Sequence, residues 1–119
     1  MTEVIECGQK GFNSVFKSEL WQIATITYDT QYSPDGFDHM KRHMTTDEVF
    51  ILLNGSAVLH TVEDGKFENI NVDKGKIYCV RQGTWHYLEV NRDALLAVVE
   101  NNILPGQTER MELECLLQK

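Results

Sequence analysis

A chain of 119 residues has room for a single domain, spanning 1–119, that buries roughly two-thirds of its unfolded surface. Hydrophobic residues at 42% and charged residues at 24% are ordinary for a water-soluble globular protein, and no apolar run reaches the roughly 20 residues needed to cross a bilayer. The net charge of −7, with Lys41–Arg42 the only adjacent basic pair, excludes the clustered cations of a nucleic-acid surface.

The opening MTEVIECGQK has neither a basic n-region nor an apolar h-region, so a cytoplasmic protein without a signal peptide is expected. Cys7, Cys79 and Cys115 are odd in number, far apart and outside any CxxC. They read as buried or idle thiols of a reducing compartment.

In chain order, the first 20 residues give the least pattern, with a turn of helix expected around Phe12–Phe16. Trp21–Tyr28 is β-branched and aromatic and reads as a strand ending at the turn Ser33-Pro34-Asp35-Gly36. Glu48–Leu53 is a second strand, and Asn54-Gly55 after it is a hairpin signal with Ser56–Val62 as the partner. Glu63-Asp64-Gly65-Lys66 turns into a strand at Phe67–Val72, and Asp73-Lys74-Gly75-Lys76 turns into one at Ile77–Val80. His86–Val90 and Ala94–Glu100 follow, joined through Asn91-Arg92-Asp93. In the last segment Met111, Leu113, Cys115 and Leu117 alternate with glutamates, which favours a strand over a short helix.

Many short strands at regular spacing predict an all-β sandwich or barrel. Residues 49–53 are apolar at every position, so both faces of that strand are expected to be covered, one of them by a second sheet or a partner chain.

Chemistry concentrates in two stretches, Asp38–Glu48 and Gly83–His86, which together hold His39, His43, Asp47, Glu48 and His86. Their spacing resembles the two motifs of the cupins, G-x5-H-x-H-x(3,4)-E-x6-G and G-x5-P-x-G-x2-H-x3-N. The first is matched at His43, Glu48 and Gly55, with Gly36 one residue out of step. The second is matched at Gly75, Gly83 and His86, with Arg81 in place of proline and Val90 in place of the final asparagine. The resemblance covers residues 36–90 and implies a double-stranded β-helix, or jelly-roll, barrel with little helix.

In a typical cupin both histidines of the first motif, its glutamate and the later histidine hold one divalent metal. The resemblance therefore implies His43, Glu48 and His86 as ligands for iron, manganese or zinc, and Lys41 stands where the fourth ligand would be. Lys41 and Glu48 are the candidate catalytic groups. His39 reads as a pocket-rim or surface residue first and a replacement ligand second, because residues four apart on a straight strand lie roughly 13 Å apart and only a bulge or bend would bring it to the metal. His60 reads as a surface or hydrogen-bonded histidine. Alternation from Glu48 and His86 turns Phe50, Leu52 and Leu88 inward as an apolar pocket wall for a small molecule. Trp85 and Tyr78 are expected in the core rather than at the mouth.

Two functions fit these residues. One is a metal-dependent isomerase, lyase, decarboxylase or dioxygenase. The other is a metal-free module binding a sugar or carboxylate, with the Lys41 ammonium replacing the cation and pairing with Glu48. A structural subunit with a vestigial pocket is a third reading. The resemblance also implies a homodimer, formed by strand exchange or sheet packing.

Overall fold

The computed structural model describes residues 1–117, which form ten strands and one short helix. In chain order these are β1 (Phe12–Lys17), β2 (Trp21–Thr27), β3 (His39–His43), β4 (Glu48–Asn54), β5 (Ala57–Glu63), β6 (Lys66–Val72), β7 (Tyr78–Val80), β8 (Trp85–Val90), β9 (Leu95–Asn101), β10 (Thr108–Glu112) and α1 (Leu113–Leu116). One sheet runs β1-β2-β9-β4-β7 and the other β10-β3-β8-β5-β6, with every pairing antiparallel. Their inner faces close on a core of Ala24, Ile26, Phe50, Leu52, Leu59, Val72, Leu88, Val90, Leu96 and Val98. This is an all-β jelly roll; the strand spacing predicted a sandwich or barrel, and the cupin resemblance implied the jelly roll. No helix among the described residues is long and apolar enough to cross a membrane.

Three local expectations change. Phe12–Lys17 is a strand, not a turn of helix, and pairs with β2 across a bulge at Ser14/Phe16. Its side chains alternate toward and away from solvent, and the bulge breaks the period-2 pattern that would reveal it. The final segment divides, with a strand at Thr108–Glu112 and a helix at Leu113–Leu116.

The third change is topological. Asn54-Gly55 does not close a hairpin, because β4 and β5 lie in different sheets. The register of β4 against β9 shifts between Leu52 and Asn54, and the Asn54 amide donates to the Asp93 carbonyl at 2.9 Å. Asn91 Oδ1 accepts from the Ser56 amide at 3.1 Å, so the chain is bent toward the opposite sheet. The true hairpin is β5–β6, whose turn places Asp64 at φ 50° and Gly65 at φ 76°.

The cysteines are unpaired, as expected, but none is buried. Cys7, Cys79 and Cys115 are free and all exposed. On β4 the inner side chains Glu48, Phe50 and Leu52 are buried, while Val49 and Ile51 are half-buried and Leu53 is exposed. Among the described residues no second sheet covers the outer face.

Candidate metal centre and cavity

The site forms where the inner faces of the two sheets meet at one end of the barrel. On the first sheet, Gln22, Glu100 and Glu48 stand side by side on β2, β9 and β4 in strict register. On the second, Lys41 of β3 is paired with His86 of β8, and His43 lies two residues beyond Lys41 on the same face. The alternation that buries Phe50, Leu52 and Leu88 carries Glu48 and His86 into the interior at the ends of their strands.

His86 Nε2 lies 2.9 Å from Glu48 Oε1, and His43 Nε2 lies 3.4 Å from Glu48 Oε2. Candidate ligand atoms of His43, Glu48 and His86 all fall within 4.8 Å of one another. The far nitrogen of each ring is also held: His86 Nδ1 donates to the Thr84 carbonyl at 2.9 Å, and His43 Nδ1 meets Thr108 Oγ1 at 2.9 Å. Such outer bonds orient an imidazole and present its Nε2 inward. Donor type, convergence and outer-shell support all fit a divalent cation. Lys41 offers no lone pair while protonated and stays outside the set.

Electrostatics follow from burial and contact. Burial alone would raise the Glu48 carboxyl, but hydrogen bonds from His43 and His86 outweigh it and hold the group well below the usual range. Burial alone would lower His86, yet the hydrogen bond and charge of Glu48 raise it. Glu100 goes the other way: burial first, then the hydrogen bond and charge of Glu48, push it up to about 9. Gln22 Nε2 donates to Glu100 Oε2 at 2.8 Å, and Ser14 Oγ donates to Gln22 Oε1 at 2.8 Å. Glu100 Oε1 is buried without a donor, which suits a carboxylic acid giving its own proton to Glu48. Burial, reinforced by Glu48, also raises the Tyr32 hydroxyl above its ordinary range.

A cavity of about 460 Å³ opens beside these groups. Phe50 and Leu88 line it, as the alternation predicted, together with Ile26 and Ile103. Leu52, one inward step further along β4, is packed in the core instead. His39 lines the cavity wall with its Nδ1 held by Asp38 Oδ1 at 2.7 Å, and it is not in the ligand group. β3 pairs regularly with β10 through all five residues, so no bulge brings His39 toward His43. Asp47 is structural: its carboxylate accepts from the Gln82 amide and from Arg81, which hold it below its usual range. His60 is buried outside the cavity between Asn69 and Glu89, stacked on Phe37. Trp85 carries the Arg42 guanidinium over its ring, and Tyr78 packs on the core.

Sequence reasoning passed over Gln22, Glu100, Thr108 and Arg110. The period-2 pattern contained the signal for the first two. Gln22 precedes inward Ala24 and Ile26, and Glu100 follows inward Leu96 and Val98. Thr108 and Arg110 carry no comparable signal, because nothing local shows that β10 pairs with β3.

No family model and no curated protein matches the chain. Solved structures do. A cupin-2 domain protein from Shewanella frigidimarina aligns with a TM-score of 0.61 and 17% identity, over 81% of this chain and 85% of that one. The chain has a cupin fold. A second similar cupin structure is the WlaRB TDP-quinovose 3,4-ketoisomerase of Campylobacter jejuni, at TM-score 0.60 and 18% identity over 82% and 74% of the two chains. A third is iron(II) HppE, at TM-score 0.56 and 14% identity over 75% of this chain and 48% of that one. One of these solved structures thus holds iron(II), and the present barrel brings His43, Glu48 and His86 together where a metal can be held.

Proposed function

We propose that the protein is a metal-dependent enzyme acting on a small molecule bound in the barrel cavity. The observation that carries this reading is the convergence of His43, Glu48 and His86 at the cavity floor, within 4.8 Å of one another. Two imidazoles and one carboxylate leave coordination positions open, as a catalytic rather than structural site requires. A bound iron, manganese or zinc would supply a Lewis acid to polarise a substrate oxygen.

The chain's own residues would do the rest. Thr84 and Thr108 orient the two imidazoles, and the apolar walls at Ile26, Phe50 and Leu88 exclude water. Glu100, neutral through the physiological range, holds a proton beside Glu48 at the edge of the cavity. The competing metal-free reading needs Lys41 paired with Glu48. In this geometry Glu48 is engaged by His43 and His86, and no ion pair among the described residues includes Lys41.

The test is elemental analysis of untagged protein purified without chelator, with His86→Ala as control. Near-stoichiometric iron, manganese or zinc that is lost in the variant is the expected result. No uptake of any of the three ions, even after incubation, would overturn the metal-enzyme reading.

A further inference from the structure

The reading above leaves two cations in the cavity wall without a task. Lys41 and Arg110 are direct cross-strand partners on β3 and β10, and both line the cavity. Like charges placed directly opposite in an antiparallel pair repel and destabilise it. A chain with only 11 basic residues against 18 acidic ones has little reason of solubility to place two cations face to face in a concave site.

The acidic groups nearby do not remove this charge. Glu48 is taken up by the two histidines, and Glu100 is engaged by Gln22 Nε2 at 2.8 Å and forms no ion pair with either cation. Arg110 is partly held from the rim: its Nε meets Glu112 Oε1 at 3.1 Å and its Nη2 lies 3.8 Å from Asp38 Oδ1. Those contacts orient the guanidinium and leave its Nη1 edge available. Lys41 has no acidic partner within ion-pair distance among the described residues. A divalent ion on His43, Glu48 and His86 would add a further net positive charge immediately beside it.

We propose that Lys41 and Arg110 form an oxyanion-binding wall, and that the molecule taken into this cavity is a small organic anion bearing a carboxylate or phosphate group. The inference rests on the cavity reading and names the substrate class for it. An oxyanion seated between the two side chains takes charge-assisted hydrogen bonds from the Lys41 ammonium and from the Nη1 group of Arg110. The rest of the molecule then lies toward Phe50 and Leu88, near the candidate metal centre. A volume of about 460 Å³ lies within the range of small-molecule sites and admits an acid of this kind.

The experiment is calorimetric titration of the full chain with malonate and, separately, with inorganic phosphate, each with and without manganese(II). Wild type, Lys41→Gln and Arg110→Gln are compared. The wild type should bind at least one oxyanion, and each substitution should weaken that binding roughly tenfold or more, the usual scale for a lost charge-assisted contact. Tighter malonate binding assigns a carboxylate ligand, and tighter phosphate binding a phosphoryl one. Melting temperature and manganese binding should not fall in Arg110→Gln, whose side chain is half exposed and whose loss relieves the like-charge contact with Lys41. Lys41→Arg should retain anion binding. No oxyanion binding to the wild type at about 10 mM, or wild-type affinity in both Gln variants, overturns the wall. Manganese uptake without anion binding sinks this inference alone, whereas anion binding without any metal uptake sinks the metal reading and leaves the wall standing.

Discussion

At the scale of single residues, the site is governed by how two adjacent carboxyls divide one proton. Glu48 is held ionised by His43 and His86, and Glu100 beside it is held neutral by burial and by Glu48 itself. The signs of the resulting pH dependence differ. Glu48, lowered in the folded state, contributes stability that is present above pH 4.5 and is lost as the pH falls through its folded value. His86, raised, contributes stability that is complete below 6.5 and is lost as the pH rises through its folded value. Glu100, raised to about 9, contributes stability that is complete below 4.5 and declines as the pH climbs toward 9.

The metal-free protein should therefore lose stability on going from pH 6 to pH 9. Glu100→Gln keeps an acceptor for Gln22 and a donor for Glu48 but cannot ionise. Its melting temperature should exceed the wild type's at pH 8.5, by about 4 °C for each kcal/mol recovered, and match it near pH 4. A variant less stable than wild type at both pH values would show that Glu100 is ionised in the fold. The His86 shift also predicts that metal uptake releases a proton and strengthens with rising pH, measurable by calorimetry in two buffers of different ionisation enthalpy.

At the scale of elements, the connections decide the topology. Gly55 has φ 75°, and a Cβ there would lie 2.6 Å from the Ala94 backbone. Gly65 has nearly the same φ of 76° but nothing within 4 Å. Gly65→Ala should therefore cost about 1 kcal/mol, the left-handed backbone penalty alone. Gly55→Ala should cost clearly more, about 3 kcal/mol with the backbone clash included. Equal losses in chemical denaturation would show that Ala94 moves freely and that the β4–β5 crossing is not tightly built. The dipeptide at 54–55 was legible as a turn from its residue types, whereas its role as a crossing was not. That role depends on the bulge at Leu52/Asn54 and on Asn91, 35 residues beyond Ser56.

At the scale of the whole molecule, the outer face of the first sheet lacks a cover. Val49, Val99 and Ile23 lie in one register row across β4, β9 and β2, with Ile51 and Ala97 in the next row. These side chains are half-buried in the single chain, and Leu53 beside them is exposed. This largely apolar face, interrupted on β2 by buried Thr25, is suited to packing on a second copy, which would cover the outer side of residues 49–53. Sedimentation of the wild type should then give a dimer, and Val49→Glu with Ile51→Lys should give a folded monomer. A monomeric wild type at high micromolar concentration would dismiss that packing.

The sequence by itself determined seven of the strands, their boundaries to within a residue or two, and the inward set at Glu48, Phe50, Leu52, His86 and Leu88, through period-2 alternation, which is a local quantity. The His-Glu-His group came from the resemblance of its motifs to those of the cupins. Only the tertiary structure decided which strands become neighbours, and three conclusions depend on that. Glu100 and Gln22 reach Glu48 because β4, β9 and β2 share a register. Asn54-Gly55 links two sheets instead of closing one hairpin. Arg110 faces Lys41 because β10 returns to the edge of β3, 69 positions away in number, a pairing made by long-range packing and backbone hydrogen bonds that no local pattern encodes.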